Sequence, residues 1–290
     1  MKSLLKKVYK VIPFKQQVFS LVRKMGKVPH SIHRHLYFDG VISYKVNGKK
    51  IKMNQKGYDV ENTLFWAGVE GCWEKVSIGL WIRLCKDSNT ILDIGANTGT
   101  YALVAKTVNE KANVIAFEPL DFIFTKLTAN AALNKLDIRC MPYALSDFNG
   151  TAKVYAESLE HLYSVTVNKN LGSPDVQVHE TEIAARKLST IINEQSLSGV
   201  DLMKIDVEHH EAEVLKGMEE YLNKWRPVML IEILTDEVGQ NVQNLIRGME
   251  YIFFNIDENG SIRKVDNIGK SDYCNYLLCS AEKAAYLKLV

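Results

Sequence analysis

From residue 90 onward, short β-branched apolar runs alternate with stretches of helical periodicity. The runs are 90–94, 113–117, 138–142, 200–207, 228–234, 251–256 and 273–279; the stretches between them include 100–109, 122–133, 211–222 and 242–249. Alternating strands and helices predict a parallel sheet covered on both faces. The last two runs follow each other without a helix, which predicts an antiparallel pair near the C-terminus.

Upstream the rhythm changes. Residues 36–60 alternate polar and apolar positions around Asn47-Gly48, a dipeptide suited to a tight turn between Tyr44-Lys45-Val46 and the run from Lys49 to Met53. A small β element is therefore expected before the main domain. Trp66, Trp73 and Trp81 stand at helix-compatible spacing in residues 61–89 and are expected to pack that connector onto the core. Between Asn149 and Ser189 the pattern weakens, as in an insert carried on a sheet scaffold. The division predicted is an accessory region 1–60, a helical connector 61–89 and a main domain 90–290.

Composition narrows the class. With 47% apolar and 24% charged residues, the chain can bury a core. Its longest apolar runs are too short to span a bilayer, and Lys6, Lys7, Lys10 and Pro13 interrupt any export signal. Five scattered cysteines without CxxC spacing suggest neither a disulfide framework nor a zinc site, so a cytoplasmic location is expected. The net charge of +2 hides an asymmetry: residues 1–38 hold nine Lys/Arg and no acid, leaving 27 basic against 34 acidic residues beyond. An acidic body repels a phosphate backbone and argues against nucleic acid.

The most specific signal is Asp93-Ile94-Gly95-Ala96-Asn97-Thr98-Gly99, a strand entering a glycine turn that opens a helix. Asn97 stands where a dinucleotide fingerprint would have its pyrophosphate-facing glycine, which weakens a nicotinamide reading. Asp93 just before the turn suits a ligand with positive charge. The next strand ends in Phe117-Glu118-Pro119, and a carboxylate at that edge can accept both hydroxyls of a ribose. A glycine turn with acids on two successive strands is the pattern of Rossmann-type methyltransferases that use S-adenosylmethionine.

At this level of detail the chain resembles the FkbM methyltransferases. The likeness rests on the Asp93–Gly99 turn, on Phe117-Glu118-Pro119, on Asn130-Ala131-Ala132-Leu133-Asn134, on Ala144-Leu145-Ser146-Asp147 and on Lys204-Ile205-Asp206-Val207-Glu208-His209-His210-Glu211. It covers residues 90–235 and departs at His209, where the family pattern has glycine. The resemblance implies a Rossmann-like class I fold with an antiparallel C-terminal strand. It also implies S-adenosylmethionine as cofactor, held by Gly95, Asn97, Glu118, Ser146 and Asp147 together with Asp93 and Gly99, and a hydroxyl acceptor such as a sugar of a glycan or glycan precursor. A glycan-assembly scaffold that keeps the fold without catalysis is the alternative.

Methyl transfer to a hydroxyl requires positioning and removal of a proton. Asp206, Glu208, His209, His210 and Glu211 cluster where a base is needed, and His210, with an ordinary pKa of about 6.5, is the expected base beside Asp206 and Glu208. Two other readings stay open: the acids complement a helix N-terminus, or Asp206, Glu208 and His210 bind a divalent metal with Glu232. The polar stretch Tyr163, Ser164, Thr166, Asn168 and Lys169 is expected to border the acceptor. His30, His33 and His35 are read as surface or hinge residues. Residues 1–27 place Leu4, Leu5, Val8, Tyr9 and Ile12, then Val18, Phe19, Leu21, Val22 and Met25, on an apolar face among lysines. That arm is expected to lie on a membrane's inner face, on the protein's own body or on a dimer mate.

Overall fold

The computed structural model describes residues 13–156, 166–167 and 179–290. The described residues form two compact units with the boundary between Lys75 and Val76, inside the expected connector.

In the first unit, α1 (Lys15–Met25) and α2 (His30–His33) precede the hairpin of β1 (Gly40–Val46) and β2 (Lys49–Gln55), and α3 (Asp59–Ala67) follows. The turn forms at the predicted dipeptide, with Asn47 at φ 49° and Gly48 at φ 80°. Both central residues are left-handed, which matches the twist of the flanking strands. Strand alternation then puts Ile42, Tyr44, Val46, Ile51 and Met53 on a buried face and Lys45, Lys50 and Lys52 on the other. Trp66 is buried against Phe19, with ring centroids 5.6 Å apart, and donates to the Leu36 carbonyl at 2.9 Å. Trp73 is 43% exposed, against the expectation that all three tryptophans pack. His33, expected at the surface or at a hinge, is buried and stacks on Trp66 at 6.0 Å; burial lowers its pKa.

The second unit opens with α4 (Lys75–Cys85) and continues through β3 (Thr90–Ile94), α5 (Thr100–Val108), β4 (Asn113–Phe117), α6 (Asp121–Asn134) and β5 (Ile138–Met141). After β6 (Ala144–Ser146), β7 (Gly150–Ala156), β8 (Thr166–Val167) and β9 (His179–Lys187) come α7 (Leu188–Glu194), β10 (Leu202–Ile205), α8 (Glu211–Lys216) and α9 (Glu220–Trp225). The last elements are β11 (Val228–Glu232), α10 (Asp236–Leu245), β12 (Ile252–Asp257), β13 (Ser261–Val265), β14 (Asn275–Cys279) and α11 (Ala281–Tyr286).

The main sheet has the order β13-β12-β14-β11-β10-β3-β4-β5. Strands β5, β4, β3, β10 and β11 are parallel, whereas β14 runs antiparallel to both neighbours and β13 pairs antiparallel with β12. This is the Rossmann-like class I arrangement with its antiparallel C-terminal strand. The chain moves outward from β3 to β5, then returns to β10 on the other side of β3. Strand order therefore reverses at β3/β10, and a crevice opens at their C-terminal ends.

Several elements differ from the sequence expectation, among them β13, an unpredicted strand between the last two expected runs that pairs with β12. The weak region is a second sheet, β6-β9-β7-β8, with its own small core of Ala152, Val154, Ile183 and Ala185 against Leu120 and Ile123. The helix expected over 211–222 breaks into α8 and α9, because Glu219 turns left-handed at φ 54°. Four of the residues expected to border the acceptor (Tyr163, Ser164, Asn168, Lys169) and the arm before Pro13 lie outside the described residues. No helix among the described residues is long and apolar enough to cross a membrane.

Glu258, distant in sequence, caps α4: its carboxylate accepts the Val76 N–H at 2.7 Å and the Ser77 N–H at 3.3 Å. Glu258→Ala is expected to lower stability by about 1 to 2 kcal/mol, the worth of a helix N-cap. Glu258→Gln should retain most of it. An unchanged denaturation midpoint for the alanine variant would remove this cap from the fold's support.

Candidate active site

The turn after β3 is shaped by what it touches. Gly95 sits at φ 79°, and a Cβ there would lie 1.8 Å from the Asp206 carbonyl oxygen, so no side chain fits. Asn97 is also left-handed, at φ 50°, and its side-chain oxygen accepts the Thr98 N–H at 2.8 Å, the local bonding that makes Asn tolerant of this conformation. The Asn97 N–H donates to Glu118 Oε2 at 3.1 Å, and the Leu120 N–H donates to Glu118 Oε1 at 3.0 Å. Burial pushes the Glu118 carboxyl up to about 7 against the pull of those two N–H groups. From behind, Asn130 of α6 donates to the Thr98 carbonyl at 2.9 Å. Gly95, Asn97, Gly99 and Glu118 thus form one connected patch at adjacent strand ends.

Asp93 lies beneath the turn, in contact with the helix that follows it. Its side chain is buried, and Oδ2 accepts the Ala102 N–H at 2.8 Å in the first turn of α5. The negative charge complements the helix N-terminus from below the turn.

Ser146 and Asp147 meet α8. The fully buried Ser146 hydroxyl lies 2.9 Å from His210 Nε2, and Asp147 pairs with Lys216 at 2.6 Å, which holds the Asp147 carboxyl below its usual range. On its other side His210 Nδ1 is 3.7 Å from Glu213 Oε2. His210 is thus buried between a hydroxyl and a carboxylate. A Cβ on Gly217 would come 2.0 Å from the Ser146 carbonyl, so α8 presses tightly on the end of β6.

The acids beyond β10 form the third group. One carboxylate oxygen each from Asp206, Glu208 and Glu232 lie within 4.8 Å of one another; His210 is not in this group. Lys204, buried in β10, reaches Asp206 Oδ2 at 3.0 Å and sits 5.3 Å over the Tyr101 ring. Burial and the Asp206 charge raise the Glu232 carboxyl well above the usual range. Glu211 is fully buried beneath the loop; its Oε1 accepts the Val207 N–H at 3.2 Å, and burial pushes its carboxyl up to about 8. Three oxygen ligands of this kind could hold a hard divalent cation.

Against known proteins, residues 93–262 match the methyltransferase FkbM domain, which is more than half of the chain. The chain belongs to the FkbM methyltransferase family. It is 30% identical over 158 residues to the hexuronic acid methyltransferase AglP of Haloferax volcanii, covering 50% of this chain and 56% of that protein. It is 28% identical over 159 residues to the 31-O-demethyl-FK506 methyltransferase FkbM of Streptomyces tacrolimicus, covering 47% and 61%. The crystal structure of a methyltransferase FkbM from Methylobacillus flagellatus is 16% identical, covers 66% of this chain and 43% of that one, and superposes with a TM-score of 0.45. The chain spans little more than half the length of these two curated relatives.

Within this FkbM domain the departure at His209 has a visible cost. His209 adopts φ 72° and the preceding Glu208 φ 53°, so the backbone keeps the left-handed turn without glycine. Lys204 is the residue for which the sequence reading offered no role. Its signal was a lysine inside the apolar strand Leu202-Met203-Lys204-Ile205, since a buried ammonium requires a partner.

Gly95→Ala is expected to destabilise the protein by roughly 3 kcal/mol or more, because backbone must shift to admit the methyl. His209→Gly should stabilise it by about 1 kcal/mol through relief of left-handed strain; a loss of stability would show that the imidazole makes a compensating contact. For Glu211 the folded state binds a proton that the unfolded state has released between pH 4.5 and about 8, so its contribution falls as pH rises through that window. Glu211→Gln is neutral throughout. Its melting temperature relative to the parent should climb across the same window, and a flat difference would mean Glu211 does not titrate there.

Proposed function

We propose that this chain transfers a methyl group from S-adenosylmethionine to a hydroxyl oxygen of a sugar or other small-molecule acceptor. The observation that carries the reading is the joining of the Gly95–Gly99 turn to Glu118 through the Asn97 N–H, on adjacent strands of a fold that belongs to the FkbM family. The residues present fit the cofactor. Glu118 offers carboxylate oxygens to a ribose diol, the Gly95–Asn97 backbone admits close approach, and three acids set against Lys204 favour a cationic ligand. When bound, S-adenosylmethionine supplies an electrophilic methyl on a sulfonium.

The chain's own groups do the rest. The new bond forms between the acceptor oxygen and the methyl carbon as the carbon–sulfur bond breaks, and the hydroxyl proton passes to a carboxylate. Asp206 is the proton acceptor favoured by its place at the end of β10, with Glu232 of β11 grouped beside it and holding its own proton at neutral pH because burial and the Asp206 charge raise its carboxyl. His210, which the sequence suggested as base, is buried against Ser146 and acts as a positioning residue that fixes α8 to β6. The same acids are the candidate ligands should a divalent cation take part. The acceptor class draws on two relatives, one named for a hexuronic acid and one for 31-O-demethyl-FK506.

Calorimetric titration should show binding of both S-adenosylmethionine and its demethylated product. Glu118→Ala should weaken both by about tenfold or more, the worth of hydrogen bonds to a charged group. Failure of the parent to bind either compound would sink the methyltransferase reading and favour a scaffold role. With a panel of sugar nucleotides and lipid-linked glycans as acceptors, Asp206→Asn should lower kcat about a hundredfold, with a much smaller loss of cofactor affinity. His210→Ala should lower kcat less, and an equal loss would return His210 to the role of base.

A further inference from the structure

The first unit carries 15 Lys/Arg against 5 Asp/Glu and the second 21 against 29, so the overall +2 separates along the boundary between compact bodies. Two features of the first unit go unused by methyl transfer. On α1, Val18, Leu21 and Met25 are 52, 62 and 81% exposed, their spacing of three and four residues places them on one face, and Phe14 at the N-cap is 71% exposed beside them. The opposite face turns Phe19 inward. On the hairpin, Lys45 stands directly across from Lys50, and Lys52 follows on the same exposed face. Like charges facing each other across an antiparallel pair repel, and an anionic partner relieves that repulsion.

The helix and the ribbon belong to one body. Gln16 donates to the Val41 carbonyl at 2.9 Å and Arg23 to the Ser43 carbonyl at 3.2 Å, which fixes α1 along the edge of β1. From Lys15 to Phe38 the chain holds no acidic residue. A polyanion in water would need the Lys45/Lys50 pair and leave the apolar stripe exposed; a neutral protein groove would need the stripe and leave that facing pair of like charges in place. A surface with an apolar interior beneath anionic headgroups satisfies both.

We infer that α1 and the β1–β2 ribbon form a docking surface for a membrane rich in anionic phospholipid, with the Phe14/Val18/Leu21/Met25 stripe entering the headgroup region and Lys45 and Lys50 facing phosphate. This holds the chain at the bilayer reversibly.

Co-sedimentation of the full chain with vesicles tests it. The protein should pellet with vesicles of phosphatidylcholine mixed with phosphatidylglycerol, not with phosphatidylcholine alone, and added salt should weaken the binding. The double variant Val18→Glu/Leu21→Glu and the double variant Lys45→Glu/Lys50→Glu should each lower vesicle binding by about tenfold or more, with circular dichroism unchanged. Absence of pelleting with anionic vesicles, equal binding to neutral ones, or variants that bind like the parent overturns the inference. It is overturned too if heparin or nucleic acid binds where vesicles do not, or if Val18→Glu/Leu21→Glu merely splits a dimer. Both alternatives are read without the methyl-transfer assay, so this proposal and the catalytic one fail separately.

Discussion

The site depends on how closely the loops after β3 and β10 approach. Beyond the last paired residues, the Asp206 N–H still donates to the Ile94 carbonyl at 3.0 Å, so the central parallel pair stays zipped past its strand ends. The next residue, Gly95, then lies so near the Asp206 carbonyl that a methyl group has no room. Because these strands separate nowhere, the glycine turn and the acidic loop leave the sheet together into one crevice. The neighbouring strand joins them: the Gly95 and Ala96 N–H groups both donate to the Phe117 carbonyl, at 3.1 and 2.8 Å, and Glu118 follows. Strand order thus brings together groups that are more than a hundred residues apart.

That geometry sets the electrostatics. Glu118, Glu211 and Glu232 are each raised chiefly by loss of water, and Asp206 and Glu208 add like charge around the last two. The buried cation at the same strand end, Lys204, pairs with Asp206. Such a crevice favours a cationic ligand and offers carboxyl groups whose protonation changes near neutral pH. Asp93 and His210 look similar in sequence to these groups, yet each is taken up by the protein itself. Asp93 completes the start of α5 and His210 ties α8 to Ser146.

The same chain separates a basic, partly apolar body from an acidic one. The two compact units thus carry opposite net charge. A unit rich in lysine that also exposes Phe14 and Met25 is suited to an interface, whereas the acidic unit concentrates its carboxyl groups around a crevice.

Local chemistry was enough for some of this. Asn47-Gly48 admits few structures other than a tight hairpin, and alternating runs from Thr90 onward dictate strands and helices because backbone hydrogen bonds and burial periodicity act over a few residues. The glycine turn, Glu118 and the antiparallel C-terminal strand were legible for the same reason. The second sheet was not, since its strands pair across residues 144–187 and present little alternation of their own. Nor was the sorting of polar residues into those that face the crevice and those that support it. Asp93, His210, Glu211 and Glu232 are all ionisable side chains near strand ends; burial and the identity of a distant hydrogen-bond partner separate them. The sequence by itself determined the strands and helices of the main parallel sheet, the fold class and the turn chemistry, which arise from short-range sterics. Only the tertiary structure decided which carboxyl groups lose water and which meet one another, because desolvation and charge coupling depend on neighbours that the chain brings together from afar.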